Sequence, residues 1–266
     1  ISDGTKGMEN QSLAVAKLLG FDFELINYKP HYLLRKIPLI GKLILTSKII
    51  RNLKQKPLPT FVITTGRRMT GISIAIKSHF KNNTKTIHIQ NPKISSKYFD
   101  LLLIPEHDKI TGKNIIQTKG ALSFFLSHEI KNKKDLTPKK PIIFLMVGGN
   151  NKRYKPQNCD YYDLGMRVAH AAKLLNARLI ISTSRRTGRK AEKVLKSTFT
   201  KQLKNFELYG FNDKNPYPEI LKTANYLIVT SDSVNMVSET ATISTPLFVS
   251  YFRKEDGKIL NFLENL

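Results

Sequence analysis

The chain has 266 residues, enough to bury two cores of ordinary domain size. Its 44 Lys and Arg against 20 Asp and Glu give a formal charge of +24, which draws nucleic acid, anionic headgroups or a phosphorylated substrate. An apolar fraction of 41%, a single cysteine and the lack of any apolar run near 20 residues exclude a disordered chain, an intrachain disulfide framework and a spanning helix.

From the N-terminus, residues 11–19 alternate at helical spacing and Gly20 ends them; FDFELINY from Phe21 reads as a strand. Residues 37–50, IPLIGKLILTSKII, form an amphipathic helix with Leu39, Leu43 and Ile50 among its apolar contacts; core packing and a membrane surface are its two destinations. Strands follow at 60–64, 85–90, 100–104 and 114–117, with a helix at 72–80. This rhythm of strand, glycine-bearing loop and helix predicts a parallel sheet covered on both faces.

Residues 131–141, KNKKDLTPKKP, are charged and broken by proline, as a linker is. Beyond them the rhythm restarts: strands at 142–147, 178–183, 206–210, 226–230 and 246–251, and helices at 161–175, 189–199, 218–223 and 234–242. The expected fold class is α/β with two Rossmann-like, doubly wound domains facing a cleft, one over 1–135 and the other over 141–266.

Ligands of such sheets bind outside the carboxyl ends of the strands. Four loops of the second half lie there. Gly148 and Gly149 after IIFLMV let backbone approach a phosphate, Asn150 follows them, and Lys152 and Arg153 add charge; a tight turn without ligand is the other reading. Ser184, Arg185 and Arg186 follow RLIIS, where an arginine fork grips phosphate or is merely exposed charge. In the third loop, Tyr209 to Asp213, Phe211 reads as core, with a nucleobase against its ring as the alternative. In the fourth, Ser231, Asp232 and Ser233 lead from a buried strand into a helix carrying Glu239. A serine cap there leaves N–H groups for an anion, and the carboxylate reaches a sugar hydroxyl. Together the loops predict a nucleotide-diphosphate sugar.

On the first half, Asp3, Gly4, Glu9, Asn10 and Gln11 form a glycine-rich turn entering a helix, and Arg67 lies in TTGRR. Asp3 or Glu9 is the candidate base for an acceptor hydroxyl, with helix-end capping as the competing role. The six histidines, at 31, 79, 88, 107, 128 and 170, have no metal-ligand spacing, and no nucleophile elbow or HExxH occurs; no metal or cofactor is expected. Charge is the only argument for nucleic acid, since no recognisable module accompanies it. The lone Cys159 and the absence of a signal-peptide pattern predict a cytoplasmic protein, and the basic charge adds the inner face of the membrane as an alternative station. The chain opens at Ile1-Ser2-Asp3 as though a preceding strand had been trimmed.

SDGTKGMENQS, TTGRR, GGNNKRY, TSRRTG and TSDSVNMVSE, in this order, resemble the family of mitochondrial-fission proteins named for elongated mitochondria, whose bacterial members are assigned as glycosyltransferases. The resemblance spans nearly the whole chain. It implies a GT-B-like fold similar to the transferase that adds N-acetylglucosamine to lipid-linked cell-wall precursors. It further implies that Glu239 binds ribose, that Ser231, Ser233, Gly148 and Gly149 surround the diphosphate, and that Arg185 neutralises the leaving group. On that footing Asp3 and Arg185 are the catalytic pair of a metal-independent, inverting transfer from a nucleotide-diphosphate sugar to a lipid-linked or saccharide acceptor on an anionic membrane. One departure is Met8, where many bacterial relatives carry a histidine suited to be the base and plant relatives vary, so that either Asp3 is the base or the position is not catalytic. Plant members are similar to adaptors that recruit a division GTPase to the outer mitochondrial membrane, so a non-catalytic membrane-surface adaptor on the same fold is the alternative.

Overall fold

A computed structural model describes residues 1–42, 47–54, 57–122, 140–252 and 257–264. The chain divides into two compact units, Ile1–Phe124 with Gly257–Leu266, and Phe125–Asp256. Leu43, His128 and most of the 131–141 linker lie outside the described residues.

In the first unit four parallel strands run in the order β1 (Phe61–Thr65), β2 (Lys85–Ile89), β3 (Leu101–Pro105) and β4 (Ile115–Thr118). Both faces are covered. Helix α1 (Lys6–Leu19) brings Val15 to a core with Ile87 and Ile89 on one side. Helix α4 (Thr70–Phe80) brings Ile72 and Ile76 to Val62 on the other. His88 of β2 is fully buried, its Nδ1 2.8 Å from the Thr64 hydroxyl, and burial pushes its pKa down to about 3. It is a neutral core residue.

Two elements depart from the periodicity. The segment from Phe21 is not a sheet strand: Phe21 and Phe23 are exposed, and only an isolated bridge joins Asn27 to Ser2. The apolar stretch at 37–50 is not one helix. Between helix α2 (Tyr32–Lys36) and helix α3 (Ser47–Lys54) the chain takes a 3₁₀ turn at Pro38–Lys42. Gly71 and Gly41 explain the bend: any side chain at Gly41 would run into the Gly71 carbonyl, so the turn is pressed against α4. Only part of the stretch has the expected core packing. Ile49, Ile50 and Leu53 are buried in the core, whereas Leu39 and Ile37 are exposed.

The second unit is a five-stranded parallel sheet built from β5 (Ile142–Val147), β6 (Arg178–Thr183), β7 (Phe206–Tyr209), β8 (Tyr226–Thr230) and β9 (Leu247–Ser250), in the order β7-β6-β5-β8-β9. Every residue of β5 is buried, as a central strand covered on both faces requires. Its side chains divide by parity. Ile143, Leu145 and Val147 pack on α5 (Asn158–Leu174) and α6 (Gly188–Gln202) through Tyr161, Leu164 and Leu195. Phe144 and Met146 face Tyr217 of α7 (Tyr217–Thr223) on the other side. The strand order reverses between β5 and β8, which makes their carboxyl ends the crevice of a doubly wound sheet.

The terminal helix α9 (Gly257–Glu264) belongs to the first unit, where the Phe262 ring lies 5.6 Å from His107 of the 3₁₀ turn Glu106–Asp108. A domain boundary drawn at 141 from sequence puts this helix in the second domain instead.

Candidate functional site

At the switch point the three loops after β5, β6 and β8 are tied into one body. The Gly148 N–H donates to Thr230 Oγ1 at 2.8 Å, the Gly149 N–H to Asp232 Oδ2 at 2.9 Å, and the Asn150 N–H to the Arg186 carbonyl at 3.1 Å. The Asn151 side chain donates to the Asp232 carbonyl at 3.0 Å, and the Thr187 hydroxyl lies within bonding distance of the carbonyls of Val147 and Gly148. The two glycines are therefore required by close packing within the protein. A Cβ on Gly148 would stand 2.1 Å from Asp232 Oδ1, and one on Gly149 2.2 Å from the Arg186 carbonyl oxygen. The backbone N–H groups of Gly148 and Gly149, where a phosphate was expected to approach, are engaged by the protein, as is that of Asn150.

Asp232 is turned inward, its side chain 0% exposed, and pairs with Arg186 at 3.0 Å. Burial pushes its carboxyl up, and the Thr230 hydroxyl, the Gly149 N–H and Arg186 pull partly back. Ser184 is likewise engaged within its own loop. Its hydroxyl accepts the Arg186 N–H at 3.2 Å and lies 3.2 Å from the Thr187 hydroxyl, closing the turn. Of the residues expected in this loop, Arg185 alone is exposed with no hydrogen bond or ion pair among the described residues.

Beyond β8, Ser231 is buried, and Ser233 caps α8 (Val234–Ala241) by accepting the Met236 N–H at 3.5 Å. No acid occupies the first turn, so this helix mouth favours an anion. Glu239, further along α8, accepts a hydrogen bond from the Tyr217 hydroxyl at 3.2 Å. Burial raises its pKa to about 7, with the Tyr217 bond pulling back; the phenol itself is pushed well above its usual range by burial and by the neighbouring carboxylate.

Tyr217 and its neighbour Asn215, whose Nδ2 donates to Ser182 Oγ at 2.6 Å, escape a reading of the sequence. Neither sits in a periodic or glycine-marked position. Phe211, read as core, is 56% exposed instead, because the loop after β7 turns outward through the Gly210–Asp213 bond.

Arg185 lies in the loop after β6, and Glu239 on α8, which follows β8. Arg185 precedes α6, which packs with Tyr161 on the Val147 side, whereas Glu239 contacts Tyr217 on the Met146 side.

In the first unit Asp3 Oδ1 accepts the Thr5 N–H at 3.0 Å and Oδ2 accepts from Arg68 at 3.3 Å. Burial pushes this carboxyl up, but the Thr5 and Arg68 bonds outweigh it and hold the pKa below the usual range. A lowered pKa makes Asp3 a weak base. Glu9 is buried and paired with Lys6 at 2.8 Å. Gln11 is buried, its Oε1 3.4 Å from Gln90 Nε2, which also lies 3.3 Å from the Met8 sulfur. Gly66 makes room for that thioether, Asn10 is half-buried, and Gly4 and Arg67 are exposed. Asp3, Gly4 and Glu9 line one shallow cavity with Lys6 and Lys29. Among the described residues no group of three His, Cys, Asp or Glu stands close enough to hold a metal, and no helix is long and apolar enough to cross a membrane.

Comparison with known proteins agrees with this architecture. The chain is 28% identical over 298 residues to an uncharacterised protein of Rickettsia prowazekii, covering 94% of this chain and 82% of that one. It is 24% identical over 255 residues to the mitochondrial fission protein ELM1 of Arabidopsis thaliana, covering 82% of this chain and 57% of the plant protein. Among solved structures, a Listeria monocytogenes protein assigned as a UDP-N-acetylglucosamine 2-epimerase aligns with a TM-score of 0.56 at 12% identity, over 94% of this chain and 70% of its own. Staphylococcus aureus MnaA, solved with UDP, aligns with a TM-score of 0.50 at 13% identity, over 89% of this chain and 67% of its own. At such identities the likeness is one of fold, GT-B-like with two parallel α/β units. Residues 6–266 match the family described as Mitochondrial fission ELM1, and the chain belongs to that family.

Proposed function

We propose that the protein is a non-catalytic adaptor that sits on an anionic membrane surface, built on a GT-B-like fold. One observation carries the proposal. Along α2 and the 3₁₀ turn that follows, Tyr32, Leu33, Ile37 and Leu39 are exposed, from 41% to 56% of their surface. Arg35 and Lys36 are exposed among them, and the Lys36 ammonium lies 5.0 Å above the Tyr32 ring. Apolar side chains ringed by cations suit the interface of an anionic bilayer, where each basic residue adds about 1 kcal/mol. The overall charge of +24 acts in the same direction at longer range. The engaged Gly148 and Gly149 N–H groups, the Arg186–Asp232 pair and the weakly basic Asp3 support an absence of transfer chemistry.

Co-sedimentation with phosphatidylserine vesicles tests the reading. Binding should weaken at least tenfold in the double variant Leu33→Ser/Ile37→Ser and fall with salt in the wild type. Undiminished binding by that variant sinks the proposal, as does equal binding to phosphatidylcholine.

A second reading is favoured by Glu239, a half-buried acid on a helix whose mouth favours anions, beside the crevice. It takes a nucleotide-diphosphate sugar, with ribose on Glu239, diphosphate at the α8 mouth and Arg185, and transfer to a lipid-linked acceptor. Calorimetric titration with UDP, GDP and their sugars should then show binding that Glu239→Ala weakens; silence across the panel excludes it.

A further inference from the structure

A groove of about 560 Å³ runs along the open edge of the first sheet. One bank is β1, which in this sheet pairs with β2 alone, and the other is residues 22–26, which belong to no described helix or strand. Leu13 and Ala16 of α1 and Leu53 of α3 complete its lining. We propose that this groove is the seat of a further β-strand, an extended apolar segment of the same polypeptide that lies parallel to β1 and is continuous with the Ile1 nitrogen.

The direction and register are set by two residues already between the banks. The Ser2 N–H donates to the Ile26 carbonyl at 2.9 Å and the Tyr28 N–H to the Ser2 carbonyl at 2.8 Å, a parallel bridge of Ser2 with Asn27. Toward the other bank, the Ile1 nitrogen donates to the Ile63 carbonyl at 2.7 Å. In β1 the Thr60 carbonyl accepts the Lys85 N–H and the Gly66 N–H donates to the Ile89 carbonyl. Even-numbered residues therefore serve β2, and the backbone groups of Phe61 and Ile63 face the groove. In this register the residue two places ahead of Ile1 meets the Phe61 carbonyl and the Ile63 N–H. The residue one place ahead meets the Ile26 N–H.

Two further features agree. The Ile1 nitrogen is buried, and burial pushes its ammonium down to about 6. An amide N–H in that place makes the same bond to Ile63 with no charge to desolvate. The walls of the groove are apolar on both faces of the sheet. Val62 packs with Ile50 and Leu53 on one face, and Phe61 and Ile63 lie with Val15 on the other. A strand covered in this way is apolar throughout, as β5 is in the second unit. Continuity with Ile1 follows from space: Ile1 and Ser2 occupy the continuation of the groove, so a strand from another protein could not run past them.

This strand would give the first unit a switch point. From its carboxyl end at Asp3 and Gly4 the chain passes through α1 to residues 22–28 on one side, then crosses to β1 on the other. The strand order reverses there, where the cavity lined by Asp3, Gly4, Lys6 and Glu9 opens, and that cavity becomes the ligand crevice of the unit.

The test compares the full chain preceded by Val-Ile-Val-Val with the full chain preceded by Val-Pro-Gly-Pro, by thermal melts and amide hydrogen exchange. The first should melt at least ~5 °C above the unextended chain. It should also slow exchange at Ile26 and Ile63 about tenfold or more. The second should match the unextended chain in both. Equal melts and equal exchange in the two extended versions overturn the proposal. A further arm adds the free peptide acetyl-Lys-Lys-Val-Ile-Val-Val-amide to the unextended chain. Failure of the peptide to slow exchange where the joined segment does so supports continuity with Ile1. Equal protection by micromolar peptide assigns the groove to a partner protein and overturns the proposal.

Discussion

Arg186 and Asp232 meet at 3.0 Å beneath the loops of the second unit, and each removes the other from the set of charges open to a ligand. Read from sequence, both belong to a nucleotide. In the fold they clamp the loop after β6 to the loop after β8. The clamp needs the space left by Gly148 and a donor from Gly149.

The clamp should be structural. Asp232→Ala leaves the Gly149 N–H and the Thr230 hydroxyl without their acceptor and the guanidinium without its partner. Losing one member of a buried pair costs ~3–5 kcal/mol. The partly exposed Arg186 can swing toward water, which places the expected loss near the lower end, about 3 kcal/mol by urea unfolding. Gly149→Ala should be comparably damaging, since its Cβ meets backbone; a loss under ~1 kcal/mol in both variants contradicts the clamp.

Glu239 gives the second unit a pH dependence of defined sign. Its folded pKa, near 7, lies above its ordinary value of 4.5. Between those values the unfolded chain releases a proton that the folded protein keeps. This contribution to stability is therefore complete below about pH 4.5, declines as pH rises and is gone above pH 7. Glu239→Gln should accordingly be more stable than the wild type at pH 8 and equal to it at pH 4.5, as thermal melts in matched buffers would show. An advantage independent of pH would mean that the carboxylate is not held in its neutral form.

His88 gives the first unit the opposite slope. Its pKa of about 3 lies below the ordinary 6.5, so acid favours the unfolded chain from pH 6.5 downward. The wild type should lose ~1.4 kcal/mol per pH unit in that window from this group alone. His88→Phe strands the buried Thr64 hydroxyl and should cost ~1 kcal/mol at pH 7, yet outlast the wild type at pH 4. Denaturation curves that stay parallel from pH 7 to 4 would contradict this.

Much of the framework was legible. The continuous apolar runs of β5, β6 and β8 could only be strands covered on both faces, and strand alternating with helix set them parallel. Residues 21–28 show the limit: FDFELINY alternates like a strand, but period two reports local extension and says nothing about a partner edge. The bend at Gly41 was hidden because its cause is Gly71, on another helix. Within the site the positions of the loops were legible but their chemistry was not. The residue types that cradle a phosphate, glycine, serine and arginine, are also those that let three backbones pack closely. Which demand Gly148, Ser184 and Arg186 meet is decided by contacts between loops far apart in the chain.

The exposed patch on α2 can be interrogated without perturbing the rest of the chain, because the protein contains no tryptophan. Tyr32→Trp places a single indole among Leu33, Ile37 and Lys36, and its emission reports whether that surface enters a bilayer. On titration with phosphatidylserine vesicles the account predicts a blue shift and protection from aqueous quenchers, both reversed by high salt and missing with phosphatidylcholine. Emission unchanged at saturating anionic lipid would contradict the membrane-surface assignment outright.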